Sequence, residues 1–118
     1  MNESIISTLT MDFAIRIVRF YQFLTKEKGV HVISKQLLRS GTSIGANVSE
    51  GIYAQSNADF INKMNIALKE AGETRFWITL LYKSELIEEK AYNSLVNDIN
   101  KIIGTLVKII TTSKKKSP

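Results

Sequence analysis

Residues 39–52 read RSGTSIGANVSEGI, and this stretch decides the fold. It is the one place where small residues gather: Ser40, Gly41, Thr42, Ser43, Gly45, Ala46, Ser49 and Gly51. On either side the chain is strongly periodic, with bulky aliphatic faces. Such a stretch is either a flexible glycine-rich loop or a helix with a shaved face that lets neighbouring backbones come close. Ile33, Leu37, Gly41, Ile44, Val48 and Ile52 follow one another at spacings of three or four, as residues on one helical face do. Gly41 and Gly45 then lie one turn apart on it, each at a cost of about 1 kcal/mol against alanine. A partner helix filling the gap offsets that cost. The stretch is read as a packed helix.

Working outward, Ser34 is the expected N-cap of this helix, after a short connection at 30–33. Upstream, a first helix is expected over about residues 4–28. Phe13, Ile17, Phe20, Tyr21 and Leu24 form one apolar face, and Met11, Ile15 and Val18 a second strip beside it. A helix apolar over more than its usual sector buries two sides, here the subunit core and a neighbouring subunit. Gly29 ends the helix, and Lys26 and Lys28 suit the negative end of its dipole.

Downstream, Ser56, Asn57 and Asp59 offer caps for a third helix starting near Asn57. Its face is Phe60, Met64, Ala67, Leu68, Ala71, Ile78 and Leu81, with Trp77 and Tyr82 off centre, at the bundle edge or a subunit boundary. A last connection at 86–89 leads into a fourth helix opening on Glu88 and Glu89. Tyr92, Leu95, Val96, Ile99, Ile102, Ile103, Leu106, Ile109 and Ile110 give it a broad apolar face. Beyond Thr111 the chain turns polar and basic. The expectation is a bundle domain over 1–112 and a disordered basic tail over 113–118. Four long helices with short connections make an all-α, antiparallel up-down-up-down four-helix bundle.

Composition bounds the function. At 118 residues and 13.3 kDa, with 44% hydrophobic residues, the chain is one domain able to bury a core. The absence of cysteine excludes disulfides and thiolate metal sites and fits a reducing cytoplasm. The N-terminus lacks the pattern of a signal peptide, and no run of about 18 apolar residues predicts a membrane span. Net charge is +5, from 16 Lys and Arg against 11 Asp and Glu, with a pI near 9.5. Without Lys114, Lys115 and Lys116 the net charge drops by three to +2. In a ring, every subunit repeats the same patch and the fields add.

Arg39-Ser40, Ser43-Ile44, Ala46-Asn47-Val48 and Glu50-Gly51 resemble the core signature of the four-helix-bundle family encoded by intervening sequences in bacterial 23S rRNA genes. Asp59-Phe60, Ile66-Ala67-Leu68 and Glu73 resemble its continuation, so the likeness spans most of the chain. One departure is Gly45, where the family often carries proline. The family is also similar to the accessory variability proteins of diversity-generating retroelements, which are basic homopentameric barrels. The resemblance implies a bundle in a homo-oligomeric, pentameric ring, with a reverse transcriptase as one partner class. Ser43, Gly45, Asn47, Glu50, Gly51 and Glu73 are its signature positions here.

Most catalytic templates fail by absence. His31 is the only histidine and stands in an expected loop. A bundle diiron site needs two Glu-x-x-His units, and a phosphate loop needs lysine after its glycines. Neither is present, and the signature serines have no histidine near them in sequence. The expectation is no enzyme, no cofactor, no metal and no small-molecule substrate. Ser43, Asn47 and Glu50 share one helical face, read as a buried or half-buried polar network fixing register, with Glu50 bonded to a basic partner or backbone amides, and a ligand site as the alternative. Antiparallel order pairs Glu73 with Arg39.

Basic residues are the remaining functional signal: Arg16, Arg19, Lys35, Arg39, Lys63, Lys69 and Arg75. Singly each is a solvated charge. Together they predict a positive surface for RNA or DNA phosphates, salt-dependent and of low sequence specificity. A second expectation, from another class, is a protein–protein scaffold for a partner enzyme such as a reverse transcriptase.

Overall fold

The computed structural model describes the backbone of residues 2–116 and the side chains of residues 5–116. It contains four helices: α1 (Asn2–Lys26), α2 (Val32–Ile52), α3 (Asn57–Lys83) and α4 (Glu89–Lys114). Among the described residues there is no strand. The small-residue stretch is helical throughout and lies inside α2, as its periodicity predicts.

Each helix is built on a stripe that goes fully into the core. In α1 the stripe is Ile6, Phe13, Ile17 and Leu24, with Thr10 filling the turn between the first two. Thr10 is buried, and its Oγ1 donates to the Ile6 carbonyl at 2.8 Å, so no polar atom is stranded. Leu37, Ile44 and Val48 come from α2, Met64, Ala67, Ala71, Ile78 and Leu81 from α3, and Leu95, Ile99, Ile102, Leu106, Ile109 and Ile110 from α4. These residues form one continuous cluster running the length of the rod, which measures 50 × 20 × 20 Å.

Turn chemistry sets the topology. Gly29, at φ 67°, lets Val30 N–H reach back to the Leu24 carbonyl and ends α1. After α3, Glu85 takes the same left-handed conformation at φ 60°. Glu85 N–H donates to Tyr82 O and Leu86 N–H to Leu81 O, each at 2.9 Å, which is the Schellman pattern. Ser56 caps α3 by accepting from Asp59 N–H at 3.1 Å. Helices then pack in a closed cycle, α1 on α2, α2 on α3, α3 on α4 and α4 back on α1. Cross-helix partners run in opposite directions (Asn57 with Ser113, Arg75 with Asn100, Tyr82 with Glu89), so neighbours are antiparallel.

α1 is shifted by two residues at each end from the expected 4–28, and boundaries of α2 and α4 also differ from the sequence reading. α2 starts at Val32, with His31 at the N-cap position and making no side-chain cap bond. Ser34 is therefore not the cap. It is buried in the first turn, donating Oγ to the His31 carbonyl at 2.9 Å. At the other end α4 runs to Lys114, so the expected boundary after residue 112 falls inside it. Ser113 is the reason: it is buried, and its carbonyl accepts from Asn57 Nδ2 at 2.9 Å, docking the last turn onto the start of α3. Residues 117 and 118 of the expected tail lie outside the described residues.

Candidate nucleic-acid interface

The seven candidate cations do not share one surface. Four of them reach sideways and tie neighbouring helices together. Arg16 on α1 donates Nη1 to Asp98 Oδ2 at 2.7 Å and Nη2 to Ser94 Oγ at 2.8 Å, both on α4. Arg39 on α2 sits against Glu70, at 3.2 Å, and Glu73 of α3. Lys63 on α3 reaches back to Glu50 on α2 at 3.0 Å. Arg75 on α3 donates to Asn100 Oδ1 on α4 at 2.7 Å. These side chains are clasps between helices, and three of them have their charge matched by a carboxylate. Sequence gives no sign of this for Arg16, whose partner lies 82 residues away.

Arg19, Lys35 and Lys69 are exposed and make no hydrogen bond or ion pair with another described residue. They stand on three different helices, α1, α2 and α3. Lys69 adds to the field around Glu73 without touching it.

The Arg39–Glu73 pairing expected from antiparallel order is present. Glu73 Oε2 also accepts from the indole Nε1 of Trp77 at 3.1 Å. The Trp77 indole first, and then the Arg39 guanidinium, hold the Glu73 carboxyl below the usual glutamate range. Trp77 is half-buried at the bundle edge, edge-on to Phe76 with ring centroids 5.0 Å apart.

Of the polar network expected of Ser43, Asn47 and Glu50, the basic partner of Glu50 is present as Lys63, but the three side chains do not bond one another. Ser43 Oγ donates to its own helix at Arg39 O (2.6 Å), and Asn47 Nδ2 to Ser43 O (2.8 Å). The Glu50 side chain is 60% exposed. Serine and asparagine here satisfy themselves on backbone one turn back, which needs no third partner. An interhelical polar contact exists elsewhere, joining signature Ser40 to a residue the sequence reading did not single out: Thr74 Oγ1 donates to Ser40 Oγ at 2.9 Å, both fully buried.

Signature glycines are explained by contact. A β-carbon on Gly41 would lie 2.9 Å from Ile17 Cγ2, and one on Gly45 would lie 3.3 Å from the Thr10 carbonyl oxygen. Gly51 packs beneath Met64 and Lys63 of α3. This end of α2 is shaved because α1 and α3 come against it.

A surface cleft at the α2–α3 turn, about 520 Å³, is lined by Ser56, Asn57, Phe60, Ser113 and Lys116 among others, with no histidine or carboxylate. No group of three or more His, Asp and Glu side chains among the described residues is placed to hold a metal. His31 is exposed. No helix among the described residues is long and apolar enough to cross a membrane.

The outer face of α4 carries three cations that the sequence reading passed over, Lys90, Lys101 and Lys108, in line with Lys115 of the basic tail at the C-cap, all exposed. Their spacings are visible in the sequence but were masked by the strength of the apolar pattern on the same helix.

Comparison with known proteins places these features. The family model described as 23S rRNA-intervening sequence protein matches residues 2–108. Among solved structures, the chain is similar to a protein of unknown function from the S23 ribosomal protein family of Bacteroides thetaiotaomicron. The two are 50% identical with a TM-score of 0.93, over 94% of this chain and 99% of that one. A search of curated proteins returns no match.

Proposed function

This chain belongs to the 23S rRNA-intervening sequence protein family, and from that premise we propose that it acts without catalysis, as a basic accessory protein that binds RNA or DNA through phosphates. The observation that carries the reading is a net charge of +5 on a surface whose clefts present no metal-binding group among the described residues. Arg19, Lys35 and Lys69, each exposed and without a described partner, are available to phosphates. Arg16, Arg39 and Lys63 act first as clasps, so their contribution to an external anion is reduced by the carboxylates they already hold.

We extend this proposal to a homo-oligomer in the cytoplasm, drawn as a pentameric ring on the resemblance to retroelement accessory proteins. In support of assembly, Met11, Ile15 and Val18 stand on α1 at 61%, 43% and 40% exposure, one apolar strip left outside the core. That strip equally favours the second reading, a scaffold whose ring holds a partner enzyme such as a reverse transcriptase.

Fluorescence anisotropy with labelled duplex DNA and a structured RNA tests the first reading. Binding is expected at low salt, with little sequence preference and a steep fall as salt rises. Absence of binding at low salt would leave the scaffold reading in its place. A chain cut after residue 113 separates the body from its basic end: loss of all binding on truncation would assign the affinity to that end.

A further inference from the structure

We propose that the outer face of α4 is the line along which this protein lies on a nucleic-acid duplex, an inference that rests on the nucleic-acid reading above. Lys90, Lys101, Lys108 and Lys115 are separated by eleven, seven and seven residues. At 3.6 residues per turn these steps nearly complete whole turns, so the four ammonium groups stay within a sector of about 40°. They form a straight row down the helix. From first to last the row is about 37 Å long, close to one turn of a duplex at roughly 34–36 Å.

Charge on this row is not cancelled. None of the four lysines has an ion pair or hydrogen bond with another described residue. Past its first turn α4 has a single acid, Asp98, and that carboxylate is held by Arg16. Lys101 borders a cleft that also contains Asp12 and Asp98, and pairs with neither. Residues between the lysines on this face, Asn97, Gly104 and Thr112, are small or neutral. The four clasping cations bridge the seams, whereas these four are exposed and bridge none.

Gly104 supplies a second observation. It lies mid-helix, where glycine costs about 1 kcal/mol, yet a β-carbon there would meet nothing within 4 Å. Unlike Gly41 and Gly45 it accommodates no neighbour inside the bundle. Lying between Lys101 and Lys108, it leaves helix backbone bare where a rigid rod would have to come close. Lysine, a flexible point charge, neutralises phosphates without the forked geometry that reads bases. No aromatic ring stands on the row, since Tyr92 is stacked on Tyr82 at 4.2 Å. Base stacking, the means of holding single strands, is thus missing. The partner that fits is a DNA double helix, held by its backbone.

The test is a variant in which all four lysines are replaced by glutamine, compared with one carrying Arg19→Gln, Lys35→Gln and Lys69→Gln. Both are titrated with labelled duplexes of two helical turns, with the matching single strands, and with phosphatidylserine vesicles, after confirming unchanged helicity and size. The α4 variant should lose about 3.6 units of logarithmic salt slope for DNA, and affinity at low salt should drop on the order of a hundredfold. The other variant should change far less. Gly104→Leu, which restores helix propensity and keeps every charge, should weaken duplex binding while raising the melting temperature. If the wild type binds but the α4 variant binds as tightly, the row is overturned and the nucleic-acid reading stands. Should the wild type bind no duplex at low salt, both fail together. Equal affinity for single strands, or lysine-dependent binding to the vesicles, would overturn the assignment of a duplex. Unchanged binding by Gly104→Leu would overturn the close approach at that glycine.

Discussion

Gly45 of α2 and Thr10 of α1 meet backbone to backbone: a β-carbon on the glycine would sit 3.3 Å from the threonine carbonyl oxygen. The nearest atoms belong mainly to main chain, which cannot rotate out of the way as a side chain can. Gly45→Leu is therefore expected to force α1 and α2 apart and cost about 1–3 kcal/mol. A thermal melt should fall by roughly 3–15 °C. An unchanged melt would mean that the two helices do not touch there in solution.

Much of this was legible in the sequence because it depends on spacing along one helix. The glycine-bearing face of α2, the apolar stripes of all four helices and the start of α3 at Ser56 and Asn57 follow from local periodicity and capping. The pairing of Arg39 with Glu73 needed only antiparallel order. What remained hidden depends on side-chain reach across the bundle. Nothing near Arg16 in sequence announces Asp98, and nothing about Glu50 tells whether it turns inward or toward Lys63. Ser34 looked like a cap because serine serves there so often. Its hydroxyl instead donates back to the His31 carbonyl from within the first turn.

Glu73 should make the fold acid-sensitive in a specific way. Its carboxyl is held below the ordinary glutamate value by Trp77 and then Arg39. A depressed folded-state pKa contributes stability at pH above the unfolded value, near 4.5, and that contribution is lost as pH falls through the folded value. Melting temperature is expected to drop on acidification below pH about 4.5, and Glu73→Gln should flatten that part of the curve. Following the Glu73 carboxyl by NMR, either Trp77→Phe or Arg39→Gln should move its titration upward. A midpoint that both variants leave in place would refute the assignment of cause.

Glu85 holds a left-handed conformation that glycine adopts without a steric penalty. Glu85→Gly should stabilise the α3–α4 turn by about 1 kcal/mol, despite adding freedom to the unfolded chain. Chemical denaturation reads this directly, as a higher midpoint with unchanged slope. Destabilisation would show that the Glu85 side chain makes a contribution larger than the strain.

The exposed strip of Met11, Ile15 and Val18 is expected to close against another subunit. Multi-angle light scattering of the wild type should give a multiple of 13.3 kDa. Ile15→Asp should shift it toward the single-chain mass while helicity is kept. A wild type that already runs at the single-chain mass would remove the ring from consideration.

The cycle of four helices has one seam thinner than the rest, where α4 returns to α1. Arg16, with its bonds to Asp98 and Ser94, bridges that seam at the surface. Local opening is easiest where buried apolar contact is least. The molecule thus behaves less like a sealed cylinder than like a folded sheet of three firm creases with a latch along its free edge. Breathing along that edge bares the core beside the lysine row while leaving α2, with its signature stretch, locked to α3.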